Sequence, residues 1–138
     1  MDKSKKSSVL ACVTGQYDCD RIIKTASEIA ESKNMPLHVL CVLKTTENYG
    51  SLSNELEYLY QTAKTVNADM TVLFSDNAPK AAADFAGQIR CRRMVSGMHN
   101  GEMTGFLVLF NELRSEIPIT MIDKDKAIYS MEPINEKV

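Results

Sequence analysis

The sequence lacks any apolar run near the roughly 18 residues that a membrane-crossing helix needs. The run nearest the start, Val9 to Val13, is five residues long, also too short for the core of a secretory signal. Membrane insertion is therefore not expected. Cysteines are few and scattered: Cys12, Cys19, Cys41 and Cys91 form no CxxC pair and no metal-ligand spacing. A chain of 138 residues has no need of disulfides, so a reducing cytoplasm is the expected compartment. Excess charge of one sign is missing too, with 16 basic against 18 acidic residues and a formal net charge of -2. That removes any global attraction to nucleic acid. Arg90, Arg92 and Arg93 are a local basic cluster without interleaved aromatics, read as a solvated turn before the fourth strand. There is no GxGxxG and no GxxxxGK[ST], which excludes a dinucleotide fingerprint and a P-loop.

What is present is ordinary globular composition, 44% hydrophobic and 25% charged, arranged in alternating units. Ser8-Val-Leu-Ala-Cys-Val-Thr14 and Leu37-His-Val-Leu-Cys-Val-Leu43 read as strands buried on both faces. Ala68 to Phe74, Arg93 to Ser96 and Pro118 to Ile122 complete five strands. Between them Ile22, Ala26, Ile29 and Ala30 share one helical face, with Asp18 or a neighbour as cap. Leu52, Leu56, Leu59, Ala63 and Val66 form a second stripe, and Ala82, Phe85, Ala86 and Ile89 a third, entered through Pro79. Phe106, Leu109, Phe110 and Leu113 mark a fourth helix. Strand–helix alternation with short connections calls for a parallel sheet covered on both faces, a three-layer α/β/α sandwich. Residues 8–123 make the domain, and 124–138 a polar tail without a strong pattern.

Open parallel sheets bind ligands beyond the carboxyl ends of their strands. The segments expected there hold Thr14, Gly15 and Gln16, then Lys44, then Ser75 to Asn77, then Ser96, Gly97, His99 and Gly101. Gly15 beside a helix start allows either a tight turn or backbone contact with an anion. Gly97, Gly101 and Gly105 can wrap phosphates or merely turn the chain, and no lysine accompanies them. His99 has no nucleophile or carboxylate tied to it by spacing, so no catalytic residue and no metal ligand is assigned. Cys19, early in the first helix, is the one thiol placed for a lowered pKa.

Val9 to Gly15 followed by Asp20 to Ala30, with Leu56 to Tyr60, Asn67 to Leu73, Ala83 to Ala86 and Met94 to Gly97, resembles universal stress protein domains. The version found in KdpD-type osmosensitive potassium-channel sensor kinases is the most similar. The resemblance covers residues 8 to 122. It implies a Rossmann-like sheet of five parallel strands in order 3-2-1-4-5, of the adenine nucleotide alpha hydrolase-like group. It also implies a non-enzymatic stress or potassium-sensing role, a candidate adenine nucleotide (ATP, AMP or cyclic di-AMP) and a homodimer. With that order the fifth strand, Ile119 to Ile122, is an edge where a second copy pairs; a signalling protein is the other candidate partner. Two departures stand out. Thr14 replaces the aspartate of nucleotide-binding members, and the motif G-x2-G-x9-G-[ST] is broken by the Gly97–Gly101 spacing and by Asn111. Cyclic di-AMP binders use a serine-rich first loop that Thr14 to Tyr17 does not supply. A decayed pocket on a nucleotide-independent interaction module is therefore the competing reading. No histidine-kinase core accompanies the domain, so a free-standing domain or a fragment is expected.

Overall fold

A computed structural model describes residues 6–14, 17–45, 53–98 and 105–133. Six strands form one sheet: β1 (Ser8–Val13), β2 (Leu37–Leu43), β3 (Asp69–Phe74), β4 (Cys91–Gly97), β5 (Ile119–Ile122) and β6 (Ile128–Met131). Their order is β3-β2-β1-β4-β5-β6. The first five are mutually parallel, in the expected order, and β6 is an antiparallel addition. Four helices connect them: α1 (Asp20–Ser32), α2 (Ser53–Thr65), α3 (Ala78–Gln88) and α4 (Gly105–Leu113).

The unbroken apolar run of β1 has a direct cause. Side chains alternate across a strand, so Val9, Ala11 and Val13 pack with α1 and α2 while Leu10 and Cys12 pack with α3 and α4. All six β1 residues are buried, and β2 and β4 flank it. β2 divides the same way, with Val39 and Cys41 on the first face and Leu40 on the second. At the outer edge β3 keeps only half-buried residues between two exposed ends.

Several expectations need correction. β5 is no edge: β6 pairs with it from Ile119↔Met131 to Ile122↔Ile128. The homodimer through the strand 5 edge therefore loses its surface, because those backbone groups are already hydrogen-bonded within the chain. β6 lies in the tail 124–138, where three of its four residues are exposed and no apolar alternation announces it. Its turn is built locally. Asp123 Oδ1 accepts from the backbone N–H of Asp125 and Ala127 at 2.9 and 2.8 Å, and Lys126 takes a positive φ of 67°. β4 begins two residues earlier than expected, at Cys91, so Arg92 joins Arg93 in the strand rather than lying in a turn before it. Arg93 reaches across β5: Nη1 donates to Thr120 Oγ1 at 3.0 Å and Nη2 to the Glu132 carboxylate.

Helix α1 starts at Asp20 after a 3-10 turn, with Cys19 at its N-cap and no side-chain cap hydrogen bond, so Asp18 does not serve as one. Helix α3 is capped as its sequence suggests: Asn77 Oδ1 accepts from Lys80 N and Pro79 sits in the first turn. On α4 the buried pair is Leu107 and Phe110, while Leu109 and Leu113 are exposed at 49% and 53%. That helix is apolar almost all round, so periodicity could not choose its inner face.

Candidate functional site

Beyond β1 the chain turns into α1 on one face of the sheet; beyond β4 it leads to α4 on the other. The two crossovers diverge and leave a crevice at the carboxyl ends of neighbouring strands, the topological switch point. A cleft of about 370 Å³ opens there, within the size range of small-ligand pockets. Its floor is Cys12 and Thr14 of the β1 end and Ser96, Gly97 and Met98 of the β4 end. Asp18, Cys19, Arg21 and Ile22 line it at the start of α1, with Phe106 of α4 and Lys124 of the β5–β6 turn.

Each position follows from local structure. Met98 N donates to Ile122 O at 3.0 Å, extending the β4–β5 ladder past Gly97 and carrying the chain to Asp123 and Lys124. A methyl group at Gly97 would stand only 3.2 Å from Ile22 Cδ1 and 3.8 Å from Arg21 Nη1, so the glycine lets α1 pack close against the end of β4. The Arg21 guanidinium thus lies over the end of β4. Its Nη1 is buried and, among the described residues, has no hydrogen-bond partner. Thr14 Oγ1 and Cys19 Sγ share a hydrogen bond of 3.4 Å that ties the floor to the start of α1.

Of the sequence-derived site residues, Thr14, Ser96 and Gly97 line the cleft. Lys44 does not. It follows β2, which lies on the far side of β1 from β4, and there the neighbouring turn is clamped by Thr45, whose N and Oγ1 donate to Asp76 Oδ1 at 3.2 and 2.8 Å. Gly15, Gln16, His99 and Gly101 lie outside the described residues. Sequence reasoning did not single out Arg21 or Lys124. Arg21 reads as one polar position between Asp20 and Ile22, and Lys124 reaches the cleft through a strand pairing that the tail did not advertise.

The chemistry of the lining is polar at its rim and inert at its base. Burial pushes the Cys12 thiol far above the ordinary thiol range, with the Cys91 and Cys41 sulfurs adding to the effect. Cys41 is pushed up to about 11, chiefly by burial. All four cysteines are free and buried. Near the cleft, Tyr58 of α2 donates to Asp20 Oδ2 at 2.7 Å and so fastens α2 to the first turn of α1. That bond to Asp20 raises the Tyr58 pKa. Among the described residues no group of three His, Cys, Asp or Glu is placed to hold a metal ion. Among them, too, no helix is long and apolar enough to cross a membrane. A larger, more open depression of about 620 Å³ lies at the opposite edge of the sheet, beside Lys6, Asn34, His38 and Gln88. It is away from the switch point.

A doubly wound α/β domain with an open crevice at its switch point is the class defined by this arrangement. No family model matches the sequence. The chain is 26% identical over 92 residues to Sensor protein KdpD of Mycobacterium tuberculosis, a stretch that is 67% of this chain and 11% of the sensor. The chain thus spans a small part of the curated relatives it matches. In structure it is similar to the universal stress protein from Archaeoglobus fulgidus in complex with dAMP, with a TM-score of 0.66 at 17% identity over 85% of this chain and 98% of that one. A universal stress protein in complex with cAMP gives a TM-score of 0.63 at 15% identity, over 86% and 98%. GalB, the 4-carboxy-2-hydroxymuconate hydratase from Pseudomonas putida KT2440, gives 0.62 at 12% identity over 84% and 65%. The fold is that of the universal stress proteins. The resemblance read from residues 8 to 122 is thereby supported by structure and, through KdpD, by sequence.

Proposed function

We propose that this chain is a universal stress-type regulatory domain that binds an adenine nucleotide in the cleft between the ends of β1 and β4, without catalysing its conversion. The observation that carries the reading is the cleft itself: about 370 Å³, open at the switch point, with an apolar base and a polar rim. Solved structures of the same fold with dAMP and cAMP support the ligand class. Similarity to a sensor protein supports a regulatory role, and four unpaired thiols suit the cytoplasm. ATP, AMP and cyclic di-AMP remain the ligands to compare. Calorimetric titration of each into the purified protein tests the reading. Saturable binding of at least one at micromolar to millimolar level, with no turnover in the presence of magnesium, is expected. Absence of heat with all three would refute binding, and hydrolysis would refute the non-catalytic part.

The alternative, a nucleotide-independent interaction module acting as a dimer, draws support from exposed apolar side chains. Val108, Leu109 and Leu113 on α4, with Ile128 and Tyr129 on β6, are open to solvent. On this reading a second copy docks against α4 and β6, since β5 is already paired. Light scattering decides it: a concentration-independent dimer supports it, and a monomer at high concentration removes it.

A further inference from the structure

We infer that Arg21 and Lys124 form a two-point anchor for the phosphoryl group of the cleft's ligand, taking the place of a phosphate-wrapping glycine loop. The inference rests on the nucleotide reading and specifies which end of the ligand this chain grips and with what. Arg21 Nη1 is a buried guanidinium nitrogen without a partner among the described residues. A buried donor left unsatisfied is costly, and charged donors most of all, so the group calls for an acceptor that the described residues do not supply, and we assign that acceptor to the ligand. Its position identifies the acceptor's location. The nitrogen stands beside Gly97, 3.8 Å from the point a β-carbon there would occupy, at the β4 end of the cleft. A planar guanidinium suits the paired oxygens of a phosphate.

Lys124 lines the same cleft. It is the second residue of the β5–β6 turn, and the turn is set by its neighbour Asp123. The Asp123 carboxylate accepts from Asp125 N and Ala127 N, and also from the Tyr129 hydroxyl at 3.4 Å. Asp123 is thereby engaged in its own turn, leaving the adjacent lysine as the cation at the cleft. Asp18 is the one carboxylate in the described lining, against two cations. The turn into β6, a strand absent from the five-stranded expectation, thus supplies half of the anchor.

The test compares AMP with adenosine, which differ by the phosphoryl group alone, by calorimetry on the wild-type chain and on Arg21→Gln, Arg21→Lys and Lys124→Ala. Circular dichroism and thermal melting establish that each variant is folded. The wild type is expected to prefer AMP by about tenfold or more, the scale of one charge-assisted hydrogen bond set. Arg21→Gln reduces that preference to about twofold or less, its effect on AMP affinity being several times its effect on adenosine affinity. Arg21→Lys restores part of it, and Lys124→Ala loses a smaller part. Adenosine binding with no AMP advantage, or an advantage that survives Arg21→Gln, overturns the anchor and leaves the nucleotide reading standing. Should Arg21→Gln fail to fold, an undiminished AMP advantage in both Arg21→Lys and Lys124→Ala overturns it equally. Failure of the wild type to bind either compound overturns the reading and the anchor together.

Discussion

Replacing Glu132 by glutamine removes the charge that latches the end of β6 to the sheet. Arg93 Nη2 donates to both Glu132 carboxylate oxygens, at 3.1 and 3.0 Å, and the Ser130 hydroxyl donates to the same group. The Arg93 side chain is only 17% exposed and the Glu132 side chain 53%. A pair between two exposed groups contributes about 0.2–1 kcal/mol after solvent screening. The exposed carboxylate keeps this pair within that range, and the half-buried guanidinium places it toward the top, at about 1 kcal/mol. For a domain of this size that is a fall in Tm of roughly 3–5 °C. A double-mutant cycle with Arg93→Met, which retains the apolar stem, isolates the coupling by urea denaturation. The pH dependence has a definite sign. The Ser130 hydroxyl and then Arg93 hold the Glu132 carboxyl below its usual range. A lowered folded pKa gives stabilisation that is complete above the unfolded carboxylate value of roughly 4.3, and that is lost as pH falls below it through the folded value. The coupling is therefore full at pH 7 and declines in acid. Zero coupling at pH 7, or coupling undiminished in acid, would refute the latch.

Three further outcomes are expected. Gly97→Ala brings a methyl group 3.2 Å from Ile22 Cδ1 and toward Arg21 Nη1, so AMP affinity falls severalfold by calorimetry while Tm moves by only a few degrees; unchanged affinity would place the ligand elsewhere. Phe110→Ala, at a fully buried position, costs about 3–5 kcal/mol in urea unfolding, whereas Leu109→Ala on the exposed face of the same helix stays within about 0.5 kcal/mol; equal costs would show that the wrong face has been assigned to the core. Cys12, Cys41 and Cys91 carry thiols raised by burial, Cys91 to about 12, so at pH 8 alkylation followed by mass spectrometry should modify them only at the rate of unfolding; rapid labelling of the native protein would contradict their burial.

The parts of the fold that were legible in the sequence are those where both faces of an element are buried. β1 and β2 announce themselves because helices cover each side, leaving no polar alternation to confuse with a loop. α4 is legible as a helix but not in orientation, since Leu109 and Leu113 are as apolar as Leu107 and Phe110. β6 was hidden because its pairing relies on backbone bonds, the Asp123 turn and the Arg93–Glu132 latch rather than on apolar spacing. At the site, Thr14, Ser96 and Gly97 follow from topology alone: each ends a strand at the switch point. Lys44 ends a strand as well, but one removed from the crevice, and strand order came only with the family resemblance. Arg21 and Lys124 depend on where a helix wall and a hairpin turn converge in space, which no spacing along the chain encodes.

The central claim is that the crevice between β1 and β4 holds an adenine nucleotide. An amide chemical-shift titration of the 15N-labelled protein with AMP tests it most directly. The account predicts saturable shifts centred on Thr14, Cys19, Arg21, Ser96, Gly97 and Lys124, with those around Lys6, Asn34 and His38 at the opposite edge unmoved. No shifts, or shifts centred on that opposite edge, would contradict it.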